Sequence, residues 1–98
     1  PFRGAFERMA ELTRTLRVGS VAEEVRTVQR LLNSDSATRI AQSGVGAPGA
    51  ETTRYGALTM RAVQKFQVKY GIAKPGVVGY GQVGPRTRAK MNEMLAGG

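Results

Sequence analysis

The chain contains no cysteine and no histidine. Those two absences remove thiol nucleophiles, imidazole bases and the usual zinc ligands together, so neither a metal nor another cofactor is expected. They leave the redox compartment open. Tryptophan is also missing, and Phe 3 and Tyr 3 are the whole aromatic inventory; aliphatic residues, alanine and methionine must fill the core. No apolar run approaches the roughly 20 residues of a membrane-spanning helix. Acid is scarce, with 7 Asp+Glu against 15 Lys+Arg and a net charge of +8. Such a balance favours acidic partners: nucleic acid, anionic lipid or anionic wall polymers. The basic residues are scattered from Arg3 to Lys90 without forming a block, as on a solvated surface. What remains is 98 residues, 41% of them hydrophobic, enough for one domain with one modest core. The start at Pro1 rather than methionine is expected of a processed chain, with any secretion signal already removed.

Three segments carry helical periodicity. In "SVAEEVRTVQRLLN", Val21, Val25, Val28 and Leu32 fall on one stripe. Ser20 and Glu23 have capping-box spacing, and Glu23 and Glu24 suit the dipole of a first turn. "ALTMRAVQKFQVKYG" puts Leu58, Ala62, Val63, Phe66 and Tyr70 on one side, with Gly71 placed as a left-handed C-terminal cap. "PRTRAKMNEML" begins with Pro85 at the first helical position and turns Met91, Met94 and Leu95 inward. Ahead of them, Phe2, Phe6, Met9 and Leu16 suggest an additional N-terminal helix, although Thr13, Thr15 and Val18 favour extended chain before Gly19. Residues 33–56 lose all periodicity, so that connection is either functional or pinned by its own turns. Ile40 is its main apolar anchor.

The stretch "GYGQVG", residues 79–84, has the spacing G-x-G-x-x-G of a dinucleotide-binding loop. That chemistry requires a buried strand before the loop, a parallel strand after its helix and an acid about 20 residues on. "AKPGVV" is too short and too broken for the first, and the sequence stops after the third helix. Pro85 also lacks an N–H that a pyrophosphate would use. The glycines are therefore read as backbone devices. Neither Glu23/Glu24 nor Glu7/Glu11 resembles a buried acid–base couple, and no serine has a histidine partner, so the chain is not read as an enzyme. Arg86, Arg88 and Lys90 wrap around their helix without sharing a face, which argues against a recognition helix and a nucleic-acid partner.

Three blocks in order, "LRVGSVAEEVRTVQRLLN", "YGALTMRAVQKFQVKYGI" and "GYGQVGPRTRAKMNEML", resemble the peptidoglycan-binding-domain-like family. Its pattern is a glycine before a V-x-x-(L/V)-Q-x-x-L helix, then G-x-x-T-x-x-A-V-x-x-F-Q, then G-x-x-G-P-x-T. The matches are Gly19, Val25, Val28, Gln29 and Leu32; Gly56, Thr59, Ala62, Val63, Phe66 and Gln67; and Gly81, Gly84, Pro85 and Thr87. The long "TRIAQSGVGAPGAETTRYG" connection resembles a long-loop subgroup appended to bacterial envelope proteins. Val28 and Tyr55 depart from the commoner leucine and phenylalanine. The resemblance covers residues 12–96, with 1–11 as an amphipathic N-terminal segment and 97–98 as a frayed tail.

The resemblance implies a mainly α, three-helix fold with glycine-rich connections. Gln29 and Gln67 are expected to bond loop carbonyls, and Thr59 and Thr87 to bond backbone within their first turns. It further implies non-catalytic binding of peptidoglycan or another anionic wall polymer by a secreted or envelope protein, localising or tethering an attached or partner protein. Aromatic, amide and guanidinium groups near the helix starts would form the site: Arg54, Tyr55, Tyr80, Gln82 and Arg86, with Arg39 from the long loop. Tyr55 reads more readily as core than as a site residue, with its hydroxyl alone available. A different class of function is a structural, self-assembling envelope protein, associating through Phe2, Phe6 and Met9.

Overall fold

The structure, a computed structural model, describes residues 11–97. Within them the chain forms α1 (Glu23–Asn33), α2 (Ala57–Lys69) and α3 (Pro85–Leu95), with no strand. This is the mainly helical fold that the three periodic segments predict. The expected N-terminal helix with Phe2, Phe6 and Met9 lies outside the described residues.

The core follows from the stripes. Val25, Val28 and Leu32 of α1, Ala62, Val63 and Phe66 of α2, and Met91 of α3 are buried together. Met94 and Leu95 pack at its margin. Each fully buried side chain of this size contributes about 1.5–3 kcal/mol. Leu12 and Leu16 close one side, while Tyr55 and Val83 plug in from the residues just before α2 and α3. Leu58 departs from the sequence reading: it lies in the first turn of α2, 47% exposed, and lines a surface cleft.

Extended backbone ties the connections together. The Leu16 N–H donates to the Val83 carbonyl at 3.1 Å, and the Val83 N–H donates back to Leu16 at 2.8 Å. The extended chain expected before Gly19 is therefore pairing with the approach to α3. A second pairing corrects the expected start of α1. The Gly19 N–H donates to the Tyr55 carbonyl, the Tyr55 N–H to Ser20, and the Ala22 N–H to Thr53, at 2.9, 3.0 and 3.0 Å. Residues 19–22 are thus held alongside 53–55, and the helix begins only at Glu23. No capping box forms. The Ser20 hydroxyl accepts from the Arg17 N–H, Glu23 is exposed near Arg26, and Val21 is exposed outside the buried stripe.

Asn33, the last residue of α1, organises the long connection. Its amide donates to the Gly46 carbonyl at 2.8 Å and to the Glu51 carboxylate at 2.9 Å, while its carbonyl accepts from the Ile40 N–H at 2.9 Å. The Thr38 hydroxyl adds a bond to the Leu32 carbonyl at 2.7 Å. A loop without secondary structure is thereby pinned at both ends and at its middle, with Ile40 driven into the core. Gly71, at φ 67°, closes α2 as predicted, and Pro85 opens α3.

Three carboxylates are held by such contacts. Burial alone would raise the pKa of Glu24, but the Thr13 N–H and hydroxyl together with Arg14 hold it below the ordinary 4.5. The Asn33 amide first of all lowers Glu51, and the Lys69 ammonium first of all lowers Asp35. In each case the unfolded chain takes up its proton at a higher pH than the folded one. Their stabilisation is therefore complete above the ordinary carboxylate value and drains away as pH falls through the lowered one. With no histidine to titrate, thermal scans are expected to give a flat Tm from about pH 5 to 8. Below about pH 4.5 the Tm should fall. A Tm unchanged down to about pH 3 would contradict this assignment.

Candidate functional site

Two glutamines, both expected to find loop carbonyls, build the same device twice. In the first, the Gln29 amide donates to the Arg54 carbonyl at 3.0 Å and to the Thr59 hydroxyl at 3.1 Å, while its oxygen accepts from the Thr52 N–H at 2.6 Å. In the second, the Gln67 amide donates to the Gly79 and Gln82 carbonyls at 3.0 and 2.8 Å and to the Thr87 hydroxyl at 3.1 Å. Its oxygen accepts from the Gly81 N–H at 2.8 Å. In both, a helix clamps the segment leading into the next helix, and a first-turn threonine completes the clamp. Thr59 and Thr87 therefore accept from glutamine rather than bonding backbone as the sequence suggests. The amides are almost fully enclosed, so these bonds form where water does not compete.

The second clamp settles the G-x-G-x-x-G spacing. Gly79 and Gly81 have φ of 91° and 86°, where side-chain-bearing residues are strained. A Cβ on Gly81 would also come within 3.0 Å of Met60 Cγ. The Gly81 N–H is taken by Gln67 and the Gln82 N–H by the Gly79 carbonyl. Amides spent inside the loop are not offered to a phosphate.

Each clamp lies under a surface cleft. The first is lined by Ile40 and Val45 of the long connection, Thr52 and Arg54, and Ala57 and Leu58 of α2. The second is lined by Ile72, Val77 and Val78, Gln82, and Pro85 and Arg86 of α3. Both combine an apolar wall with one exposed arginine, and both rest on backbone fixed by a buried amide. Val45 and Val78 stand exposed at glycine-flanked turns, at 77% and 99%. No sequence pattern marks these two valines, because an isolated valine in a glycine-rich loop has no periodicity, whereas the helical period assigns Leu58 to the core rather than to the cleft it lines.

The six residues expected at a site do not converge on one cleft. Arg54 lies at the first; Gln82 and Arg86 lie at the second. Tyr55 is core, 2% exposed, and its hydroxyl donates to the Gly81 carbonyl at 2.7 Å, stitching the approach to α2 onto the second loop. Burial pushes that phenol well above its ordinary pKa. Tyr80 lies beside the outer face of α2, with Arg61 and Lys65. Arg39 is half-buried on the long connection, its Nε enclosed without an acceptor among the described residues. Among the described residues no cluster of acids could hold a metal ion, and no helix is long and apolar enough to cross a membrane.

The model of one protein family, described as "Putative peptidoglycan binding domain", matches residues 21–91. That span runs from the pairing before α1 to the buried Met91 of α3 and contains both clamps and both clefts. No curated protein and no solved structure matches the chain significantly.

Proposed function

Because the chain belongs to the peptidoglycan-binding domain family, we propose that it binds bacterial cell-wall peptidoglycan through the two clefts without turning it over. Binding of this kind localises or tethers an attached or partner protein at the cell envelope. The observation that carries the reading is the family match, which spans both arginine-bearing clefts.

The chemistry of the clefts supports it. Muropeptides offer stem-peptide carboxylates, amides and N-acetyl methyl groups. Arg54 and Arg86 are exposed at the cleft lips, where a guanidinium fork pairs with a carboxylate in two parallel hydrogen bonds. Leu58 and Val45 in one cleft, and Val77 and Pro85 in the other, give acetyl and side-chain methyls an apolar wall. The clamped backbone is ordered before any ligand arrives, so little ordering cost falls on binding.

Sedimentation with purified, insoluble peptidoglycan tests the site. The Arg54→Ala/Arg86→Ala variant is expected to bind at least about tenfold more weakly, since each charged hydrogen bond contributes about 1.5–3 kcal/mol. Both positions are exposed, so stability should stay within about 0.5 kcal/mol of the parent. Undiminished binding by the variant would move the ligand away from the clefts. A chain that ignores peptidoglycan but polymerises with rising concentration would favour the self-assembly reading instead.

A further inference from the structure

The outer face of α2 is a second binding surface of different character. Eight of the 15 Lys and Arg, and none of the 7 Asp and Glu, fall within residues 52–92. The net charge that looks scattered along the sequence is thus concentrated in its second half, and α2 carries three of these cations in register. Arg61, Lys65 and Lys69 stand four residues apart on one helix face, at intervals of about 6 Å along the axis. Lys69 is paired with Asp35. Arg61 and Lys65 are exposed and have no hydrogen-bond or ion-pair partner among the described residues. With Gln64, Val68 and the half-buried Tyr80 they line an open surface cleft of about 510 Å³, separate from the two described above. Of the described acids, Glu23, Glu24, Glu51 and Glu93 are engaged away from this face, with Arg26, Arg14, Asn33 and Lys90, while Asp35 meets its C-terminal end through Lys69.

We propose that this face binds a linear phosphodiester polymer of the cell wall, a polyol-phosphate chain lying along α2. Evenly spaced cations on a rigid helix suit a flexible chain with one negative charge per repeat. Two neighbouring repeats pair with Arg61 and Lys65, and Gln64 and the Tyr80 hydroxyl are donors for the polyol oxygens between them. Nucleic acid fits the face less well, because its capture as a single strand relies on a row of aromatic platforms and Tyr80 is the one ring in the cleft lining. The surface goes beyond the peptidoglycan reading and gives a basic module an acidic wall partner.

The test uses poly(glycerol phosphate) as titrant at several salt concentrations. The parent should bind it, and Arg61→Ala/Lys65→Ala should weaken binding at least tenfold. The salt slope should become shallower by about 1.4, from two lost contacts of roughly 0.7 each. Arg17→Ala/Arg30→Ala, which removes equal charge from exposed positions elsewhere, should leave affinity within about twofold at moderate salt. Circular dichroism and Tm should match the parent for both variants. Equal losses from the two variants would reduce the effect to net charge and overturn the proposal. So would undiminished binding by Arg61→Ala/Lys65→Ala, or a single-stranded oligonucleotide bound as tightly and lost on the same substitutions. Pull-down with peptidoglycan stripped of phosphopolymers separates the two readings: the α2 variant should sediment normally there, and loss of its sedimentation would overturn a distinct surface.

Discussion

Replacing Gln67 with leucine is expected to destabilise the domain by about 3–5 kcal/mol, although the two side chains have similar volume. The expectation rests on what is left behind. The Gly79 and Gln82 carbonyls, the Thr87 hydroxyl and the Gly81 N–H all turn toward this one amide, which is 1% exposed. Leucine satisfies none of them, and each buried group left without a partner costs about 1–3 kcal/mol. Relaxation of the loop recovers part of the sum by letting water in. For a domain of this length the loss corresponds to a Tm lower by at least about 12 °C. Gln67→Glu should be no better, since a carboxylate would face two carbonyl oxygens. A loss under about 1 kcal/mol would mean that the turns hold the loop without the clamp.

The second large effect is expected at Asn33. Alanine there removes three bonds, to Gly46, Glu51 and Ile40, that fasten the long connection to the end of α1. Denaturant titration should show about 2–4 kcal/mol lost. The damage should be local in a way that the Gln67 variant is not. Hydrogen exchange is expected to accelerate across residues 40–51 while the α2 and α3 cores keep their relative protection. Glu51 should also return toward its ordinary pKa, because the Asn33 amide is the main influence lowering it. Since Ile40 and Val45 form one wall of the first cleft, peptidoglycan affinity should fall with the loop. Uniform loss of protection throughout the molecule would contradict the local role.

These two residues show where the sequence was informative. Period and punctuation marked the helices: Val25, Val28 and Leu32, Ala62, Val63 and Phe66, Gly71 and Pro85 all stand where their spacing places them. A polar residue on an apolar face marked Gln29 and Gln67 as needing buried partners, and they have them. What local pattern could not carry was pairing across the chain. Ser20 and Glu23 have the letters of a capping box, but residues 53–55 hold that backbone extended first. Val21 and Leu58 fit a helical stripe, yet Val21 precedes the start of α1 and Leu58, in the first turn of α2, faces a surface cleft instead of the core. Nothing in the sequence around Asn33 marks it as the anchor of the long connection, because its three partners lie 7 to 18 residues away.

The site was legible only in outline. Gathering Arg54, Tyr55, Tyr80, Gln82 and Arg86 around two similar helix starts treated sequence repetition as spatial convergence. In the fold the repetition yields two clefts, each with its own arginine, and Tyr55 turns inward to join them through the Gly81 carbonyl. Charge misled in a related way. Spacing cations along the chain conceals that acids are absent over residues 52–92, and only the helix brings Arg61 and Lys65 onto one face.

Retention on purified peptidoglycan, stripped of phosphopolymers and washed at high ionic strength, bears on the function most directly. At about 1 M salt the Debye length shrinks to about 3 Å, so adhesion through diffuse charge is lost while close hydrogen bonds and apolar contacts persist. The folded chain is expected to remain with the insoluble wall under those conditions and to be released by soluble muropeptides. A chain that stays in the supernatant, or that binds only at low salt, would contradict peptidoglycan recognition by the clefts.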